Sequence, residues 1–265
     1  MRKARSLALV GAGPVSRSFL ARLPAVAEHL GPVMSLSFRL ASRIANALRS
    51  GFPVAGYKEL DRSRIVLVSL PARSLFRVVS ELAAAPLDWP HKTVILCDAE
   101  RDSAVLAALA ARGAATASLT PLEGFDEKRL LVEGDPAAML AARRLLAHGD
   151  VRLVELHPHT KTAYLAGITF LTALSAPLLA AANECFRFAG LNSRLAAQVI
   201  ERLSARTLRA HLKGGRKIWT GVAARGELAA LERISPELAA SYADAARVAL
   251  RTRRRGKAGA AAASS

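Results

Sequence analysis

The stretch that decides the fold is Leu7-Ala-Leu-Val-Gly-Ala-Gly-Pro-Val-Ser-Arg-Ser-Phe-Leu20. Its first four residues form a short apolar run, which predicts a buried parallel strand. Two glycines follow at once, and residues 16–23 predict the first turns of a helix. Such a turn lets the main chain approach a pyrophosphate, whose charge is bound by the free N–H groups at the helix N-terminus. The stretch therefore predicts a dinucleotide site formed by Gly11, Gly13, Pro14, Val15 and Ser16.

The match to the dinucleotide fingerprint is incomplete, because Ser16 stands at its third position, where Gly or Ala is usual. The place of the turn, directly after a first strand and before a helix, favours a nucleotide site. The alternative is an ordinary strand-to-helix turn in a Rossmann-like domain that binds no nucleotide.

Apolar runs alternate with helical patterns through residue 156, and this alternation predicts a mostly parallel sheet covered on both faces. The predicted strands are 7–10, 33–38, 64–70, 93–97, 114–119, 129–132 and 151–156. The predicted helices between them are 16–23, 41–50, 74–85, 103–112 and 136–146.

From residue 160 onward only helices are predicted, at 160–189 with a kink at Pro177, and at 194–212, 226–233 and 236–251. The fold class is therefore α/β, with a Rossmann-like, mostly parallel sheet followed by an all-α C-terminal domain. We expect a Rossmann-like NAD(P)-binding domain over 1–158 and a helical dimerisation and substrate domain over 159–252. Residues 253–265 are expected to form a disordered basic tail.

The residues after the second predicted strand indicate which dinucleotide is bound. NAD sites usually place an Asp or Glu there to bind the ribose 2′-OH, whereas this chain has Ser37-Phe-Arg-Leu-Ala-Ser-Arg43 without a carboxylate. Arg39 and Arg43, with Ser37 or Ser42, can pair with a 2′-phosphate. NADP is therefore favoured as the cofactor, and NAD stays open. The other interpretation is that these arginines are solvated at the start of the next helix.

A second part of the predicted site follows the strand at 64–70. In a doubly wound sheet, the loop after this strand lies beside the cofactor. We therefore expect Ser69, Leu70 and Pro71 to line the nicotinamide half of the site.

The net charge of the chain is +17, from 38 Lys and Arg against 21 Asp and Glu. A balance this basic raises nucleic acid as a partner. The basic residues are spread along the chain, however, and the aromatic residues, only 5% of the total, are not interleaved with them. The chain therefore lacks a stacking platform for single strands, and we expect no specific nucleic-acid binding.

Metal and disulfide chemistry find little support in the sequence. Cys97 and Cys185 are too few for a disulfide framework, and neither they nor the six histidines have metal-ligand spacing. The N-terminal Met1-Arg-Lys-Ala-Arg precedes only a short apolar strand, so no signal peptide is predicted. We expect no metal site and a cytoplasmic protein.

A long uncharged segment lies between Lys161 and Glu184. It is long enough to span a bilayer, but it is dominated by Ala and contains three threonines, a serine and Pro177. We expect a helix buried on all sides, either inside a helical domain or at a dimer interface, and no membrane association.

Several segments resemble a known family in their order and spacing. They are Gly11-Ala-Gly13, Val66-Leu-Val-Ser-Leu-Pro71, Ala117-Ser-Leu-Thr-Pro-Leu122, Val132-Glu-Gly-Asp135, Lys161-Thr-Ala-Tyr164 and Trp219-Thr-Gly-Val-Ala-Ala-Arg-Gly226. The chain resembles the Rossmann-like proteins with a C-terminal helical domain that are related to pyrroline-5-carboxylate reductases, within the 6-phosphogluconate-dehydrogenase-like superfamily. The resemblance implies an NAD(P)-dependent oxidoreductase that dimerises through its helical domain, in a family whose substrate is not established.

The chain departs from this family at three polar positions. Thr120 stands where relatives carry His, Leu165 replaces the His of a Tyr-His pair, and Ala173 replaces an Asn of the long helix. An imidazole can shuttle a proton at neutral pH, whereas a threonine hydroxyl or a leucine cannot replace it. The departures weaken the case for catalysis more than the case for cofactor binding.

Lys161 and Thr120 are the candidate catalytic residues. A lysine at the junction of the two predicted domains can polarise an oxygen or donate a proton, and Thr120, after a strand end, can hydrogen-bond a substrate. Their alternatives are a solvated lysine at a helix start and a simple cap in a Thr-Pro turn. Arg225, as a clamp for a carboxylate, and Asp98, at a strand end, are weaker candidates.

The leading hypothesis is the oxidation or reduction of a small polar metabolite with NADP(H) or NAD(H) at the interdomain cleft of a homodimer. The alternative is a catalytically degenerate nucleotide-binding sensor or scaffold. A basic nucleic-acid binder is a third and weaker alternative.

Overall fold

The structure is a computed structural model that describes residues 7–11, 24–125, 128–147, 151–213 and 227–248. Its strands are β1 (Leu7–Gly11), β2 (Leu30–Met34), β3 (Phe52–Pro53), β4 (Ile65–Ser69), β5 (Thr93–Cys97), β6 (Ala115–Pro121), β7 (Arg129–Gly134) and β8 (Arg152–Glu155). They form one eight-stranded sheet in the order β3-β2-β1-β4-β5-β6-β7-β8. Strands β1 to β6 run parallel, β7 is antiparallel to β6, and β8 is parallel to β7. The predicted mostly parallel sheet is confirmed.

Helices connect the strands of the sheet, and only helices follow the last strand among the described residues. The α-helices are α1 (Pro24–Ala27), α2 (Phe38–Leu48), α3 (Ala72–Ala84), α4 (Ala107–Ala110), α5 (Pro136–Leu146), α6 (Lys161–Leu171), α7 (Ser175–Phe188), α8 (Ser193–Leu212), α9 (Glu227–Ile234) and α10 (236–248). Short 3-10 helices cover Tyr57–Arg62, Trp89–His91 and Ser103–Leu106. After β8 the described residues are helical or irregular, so the predicted all-α C-terminal part is confirmed.

The chain divides into two compact units, Met1–Thr169 and Phe170–Ser265. The first unit contains the sheet with its covering helices, and in the second α7 packs on α8. The domain limits 1–158, 159–252 and 253–265 stay predictions, and the tail lies outside the described residues.

Two hydrophobic clusters cover the two faces of the sheet, because successive side chains of a strand point to opposite faces. Leu7 and Leu9 of β1 belong to one cluster, which includes apolar residues of α2 and α5. Ala8 and Val10 belong to the other, which includes apolar residues of α3 and Trp89. The strands are therefore buried on both faces, as parallel strands usually are.

Strand β2 begins earlier than the predicted strand at 33–38. Gly31 and Pro32 resemble a turn in the sequence, but both lie inside β2. The pairing register between β1 and β2 shifts at this point, and such an irregularity accommodates a proline, which has no N–H to donate. Because β2 ends sooner, Ser37 caps α2 instead of ending a strand.

The long helix predicted at 160–189 is interrupted between α6 and α7. The break lies just before Pro177, where the prediction placed a kink. Proline removes the hydrogen bond to the fourth residue before it, and its ring clashes with that carbonyl. The hydroxyl of Ser175 covers part of the break by donating to the carbonyls of Leu171 (2.8 Å) and Thr172 (3.0 Å).

This apolar segment is exposed in the single chain, so the prediction of a helix buried inside its own domain is wrong. Among the described residues of α6 and α7 only Lys161 is buried, and Phe170 and Leu171 are 65% and 77% exposed. The segment Lys161–Phe188, which contains an 18-residue window with a mean hydropathy of 1.8, is long and apolar enough to cross a membrane by length and composition alone. Burial at a dimer interface stays a prediction.

A buried lysine just before β5 is hydrogen-bonded to the end of the 3-10 helix Tyr57–Arg62. The ammonium of Lys92 donates to the carbonyls of Asp61 (2.9 Å) and Ser63 (3.0 Å) and lies 3.1 Å from Asp61 Oδ1. The hydrogen bond from Lys92, aided by one from the Asp88 N–H, holds the pKa of Asp61 below its ordinary value. The folded state therefore favours the ionised carboxylate.

We expect Asp61→Asn to reduce stability at neutral pH and to have less effect in acid. A lowered carboxyl pKa contributes stability above the unfolded value of about 3.9 and loses it as pH falls through the folded pKa. The difference at pH 7 should stay below about 1 kcal/mol, because this side chain is half exposed. Urea unfolding at several pH values measures it. In a Lys92→Met background the Asp61 substitution should have a smaller effect, and an unchanged effect would contradict the assignment.

Candidate functional site

The carboxyl ends of β1 and β4 meet where the strand order reverses. From β1 the chain passes to β2 on one side, and β4 lies on the other side, with Gly11 paired to Ser69. In open α/β sheets ligands bind in the crevice outside the carboxyl ends of the strands at such a switch point. The topology therefore places a candidate nucleotide-binding edge beyond Gly11, Met34 and Ser69.

A cavity of about 190 Å³ opens at this edge. Its lining residues come from the ends of β1, β2 and β4, the loop after β3, the first 3-10 helix and α3: Val10, Met34, Ser35, Leu36, Ala55, Tyr57, Leu70, Arg77, Val78 and Glu81. The Tyr57 hydroxyl donates to Glu81 Oε2 (2.8 Å), and Arg77 lies 3.7 Å from Glu81 Oε1. Burial, followed by the hydrogen bond to Glu81, raises the pKa of Tyr57, so the phenol stays protonated.

Ser35 carries an unpartnered polar atom in this cavity. Its Oγ is buried and makes no hydrogen bond, although a buried hydroxyl without a partner is unfavourable. A bound molecule with a polar edge would supply that partner. The cavity therefore offers a bound molecule both apolar side chains and polar groups that could orient it.

The residues predicted to bind a 2′-phosphate lie at the N-terminus of α2. The Ser37 hydroxyl accepts a hydrogen bond from the Leu40 N–H (3.2 Å), which makes Ser37 the cap of the helix. Arg39 and Arg43 are exposed one turn apart, and neither guanidinium has an ion-pair partner among the described residues. Cations are unfavourable at a helix N-terminus, so an anion bound here would relieve the arrangement.

The other predicted cofactor residues are only partly described. Gly11 ends β1 and is buried, Ser69 ends β4 at 1% exposure, and Leu70 lines the cavity. Pro71 caps α3 and is half-buried. Gly13, Pro14, Val15 and Ser16 lie outside the described residues, and so does Arg225. Their predicted roles stay predictions.

Lys161 is enclosed, so the alternative of a solvated lysine is wrong. Its side chain is 1% exposed. The ammonium donates to the carbonyls of Asp98 (2.6 Å) and Arg101 (2.7 Å), and it lies 3.5 Å from Ser118 Oγ. Burial lowers the pKa of Lys161, while Asp98 and Glu133 act in the opposite direction. Its catalytic role stays a prediction, and its donors face protein acceptors.

Glu133 supplies the nearby negative charge and was missed at the sequence level. It is 1% exposed in β7. Its carboxylate accepts hydrogen bonds from the Ser118 hydroxyl (2.6 Å), the Ser103 N–H (2.7 Å) and the Ser103 hydroxyl (2.9 Å). The only signal in the sequence is an acidic residue directly after the apolar run Leu130-Leu-Val132.

The remaining candidates lie close to the same sheet edge. Thr120 is inside β6, paired with Leu131 and 3% exposed, so the alternative of a cap in a turn is wrong, while its catalytic role stays a prediction. The hydroxyl of Tyr164 accepts a hydrogen bond from the Glu123 N–H (2.9 Å) in the loop after β6. Asp98 accepts from the N–H groups of its own loop. Among the described residues, no group of three His, Cys, Asp or Glu residues could hold a metal ion.

Comparison with known proteins finds a family model that matches the second part of the chain. Residues 129–249 match the family model described as "Domain of unknown function (DUF2520)". Both Glu133 and Lys161 lie within the matched residues, whereas their partners Ser103 and Ser118 precede them. A search of the curated proteins found no significant match.

Solved structures share the fold at low sequence identity. The provisionally named NADP oxidoreductase BF3122 from Bacteroides fragilis matches with a TM-score of 0.68 and 13% identity, over 92% of this chain and 96% of that one. A Myxococcus stipitatus imine reductase variant in complex with NAD+ matches at 0.64 and 13%, over 96% and 94%. A pyrroline-5-carboxylate reductase from Coxiella burnetii matches at 0.50 and 13%, over 96% and 98%. The chain therefore has the Rossmann-like fold of these reductases followed by helices, which confirms the fold that the resemblance implied.

Proposed function

We propose that the chain binds NADPH, or with lower preference NADH, at the carboxyl edge of its sheet and oxidises or reduces a small polar metabolite. The observation that carries the proposal is the switch point between β1 and β4, with its cavity and the unpartnered Ser35 hydroxyl. The imine reductase of the same fold is in complex with NAD+, which supports a dinucleotide as the ligand.

The residues at this edge suit the two ends of a dinucleotide. Gly11, with the predicted Gly13 and Ser16, would hold the pyrophosphate, and Arg39 at the N-terminus of α2 would pair with a 2′-phosphate. Leu70 and Pro71 would line the nicotinamide half of the site. A bound nicotinamide supplies or accepts a hydride, while the protein orients it and excludes water.

We expect Arg39→Ala to weaken NADPH binding by about tenfold to a hundredfold, which is the effect of one charge-assisted hydrogen bond. NADH lacks the 2′-phosphate, so its dissociation constant should change less than about twofold. Titration of the purified protein with each nucleotide, followed by nicotinamide fluorescence, measures both constants.

The matched control is Arg112→Ala. Arg112 is also exposed, but it lies just before β6, at the opposite end of the strands. Arg112→Ala changes the net charge by the same amount as Arg39→Ala, but it lies away from the proposed site. An equal loss in both variants would assign the effect to net charge, and a wild-type protein that binds neither nucleotide would show that the fold has no cofactor.

A nucleotide-binding sensor without turnover is the second candidate function. Thr120 and Leu165 stand where the resembled family carries imidazoles, and Thr120 is buried. Wild-type protein that binds NADPH but oxidises none with a panel of small carbonyl and imine compounds would favour this candidate.

We also propose that the exposed apolar side chains of α6, α7 and α8 are covered by a second copy of the chain. These side chains include Phe170, Leu171, Leu178, Leu179, Phe188, Leu195, Leu208 and Leu212. Soluble monomers rarely expose contiguous apolar surface of this extent. The segment between Lys161 and Glu184 contains more Ala than Leu, together with threonines, a serine and Pro177, which is less typical of a membrane-spanning helix and favours a protein partner.

A further inference from the structure

We infer that Lys161 is a positioning residue of the proposed cofactor site, because its ammonium fixes the loop that follows β5 at the edge of the sheet. This inference rests on the proposed function. The loop, residues 98–102, connects β5 to the 3-10 helix Ser103–Leu106. It begins at the carboxyl end of the second strand beyond the switch point, on the side of β4, where the nicotinamide half is proposed to lie.

The environment of Lys161 is unfavourable for a cation unless its contacts are complete. The residue stands in the first turn of α6, where the helix dipole disfavours positive charge. Its side chain is 1% exposed, and an enclosed ammonium needs hydrogen bonds and a counter-charge. The burial of this cation is therefore explained by the hydrogen bonds that its ammonium donates.

The ammonium holds two carbonyls of one short loop. It donates to Asp98 O at 2.6 Å and to Arg101 O at 2.7 Å, and its remaining contact is with Ser118 Oγ at 3.5 Å. An ammonium has three donors, so these acceptors account for all of them. A bound molecule could accept a hydrogen bond from the Lys161 ammonium only if one of the loop carbonyls lost its own.

Glu133 fixes the other end of the same loop. Its carboxylate accepts from the N–H of Ser103 at 2.7 Å, and the Ser118 hydroxyl, 2.6 Å away, bridges it to the ammonium. Within the loop, Asp98 Oδ1 accepts from the N–H groups of Glu100 (2.7 Å) and Arg101 (2.9 Å). The loop is thus held from α6, from β7 and by its own turn.

Removal of the ammonium should release this loop without disturbing the half of the site near β2. The test compares NADPH with adenosine 2′,5′-bisphosphate, which lacks the nicotinamide. We expect Lys161→Met, which keeps the aliphatic stem, to weaken NADPH binding by about tenfold, as for the loss of one charge-assisted hydrogen bond. Binding of the bisphosphate should change less than about twofold. Nicotinamide fluorescence and calorimetry measure the two constants.

Lys92→Met is the matched control. Lys92 is likewise buried and also donates to two main-chain carbonyls, but it lies just before β5, at the opposite end of the same strand. Its loss should destabilise the protein without changing the ratio of the two dissociation constants. If Lys161→Met changes that ratio no more than Lys92→Met does, the inference is wrong.

A second variant separates positioning from stability. Lys161→Met removes the ammonium that offsets the negative charges of Asp98 and Glu133, and this loss is unfavourable for the buried carboxylate of Glu133. Adding Glu133→Gln removes that charge, so the double variant should regain thermal stability and keep the weak NADPH binding. Recovery of both properties would overturn the inference. Wild-type protein that binds the bisphosphate and NADPH equally tightly would also overturn it, whereas binding of neither would refute the proposed function itself.

Discussion

Replacing Gly134 with alanine is expected to destabilise the sheet by about 3–5 kcal/mol, the upper range for single substitutions. Gly134 ends β7 with φ at +132°, a conformation that residues with a Cβ rarely adopt. A Cβ built there would lie 2.4 Å from the carbonyl O of Thr116 and 2.6 Å from Cα of Ala117. Both neighbours are main-chain atoms of β6, so the strands themselves would have to move apart.

Gly124→Ala is the matched control. Gly124 also has a positive φ, +79°, but a Cβ there meets nothing within 4 Å. Its substitution should cost about 1–2 kcal/mol, the penalty for a side chain in the left-handed region. Both substitutions remove the same freedom from the unfolded chain, so the difference between their urea unfolding midpoints isolates the close approach of β6 and β7. Equal midpoints would show that the strands can separate without penalty.

The close approach of β6 and β7 at Gly134 also keeps the neighbouring carboxylates within hydrogen-bond distance of β6. On one side of Gly134 the carboxylate of Glu133 reaches the Ser118 hydroxyl at 2.6 Å. On the other side, Asp135 accepts from the N–H of Thr116 at 2.7 Å. A separation of β6 from β7 would lengthen both contacts, so the buried Glu133 carboxylate would lose its donor from β6 and keep only those from Ser103. The glycine therefore links the stability of the sheet to the position of the loop that Lys161 holds.

Local patterns predicted most of the sheet because they are decided within each strand. The runs at 64–70 and 93–97 correspond to β4 and β5, since unbroken β-branched and apolar residues between turn signals have few other interpretations. The second strand was predicted too late in the sequence, at 33–38, because Gly31 and Pro32 resemble a turn. The structure accommodates both residues inside β2 through an irregular pairing with β1. The break before Pro177 lies where a kink was predicted, because proline cannot continue the helical hydrogen bonds.

The site was less predictable because its contacts are long-range. The acceptors of Lys161 lie 63, 60 and 43 residues away in the sequence. Helical periodicity and the usual exposure of lysine could therefore indicate only a cleft residue or a solvated one. The cavity lined by Tyr57 and Glu81 was missed for the same reason, since these two residues are 24 apart and carry no motif. By contrast, Ser37 and Arg39 could be named as candidates because they follow the second strand in the sequence. Ser37 lies at the cap of α2 and not at a strand end, and the binding role of both residues stays a prediction.

Leu178→Glu is expected to convert the proposed homodimer into a monomer. Leu178 lies on α7 and is 52% exposed in the single chain, in a segment without charge from Thr162 to Asn183. Stable homodimer interfaces bury about 2,000 Å² or more and are apolar. A carboxylate at the centre of such an interface would be desolvated without a partner, which is unfavourable by several kcal/mol. Sedimentation of the purified protein over a range of concentrations measures the change.

Leu140→Glu is the control for this substitution. Leu140 is 47% exposed on α5 in the sheet-containing unit, so the same chemical change there should leave the dimer intact. Dissociation by both variants would indicate a general effect of charge or folding. A monomeric wild-type protein that binds lipid vesicles through Lys161–Phe188 would instead assign the apolar surface to a membrane. A dimer that survives Leu178→Glu would place the interface elsewhere, because a buried glutamate cannot be tolerated in an apolar contact between two copies.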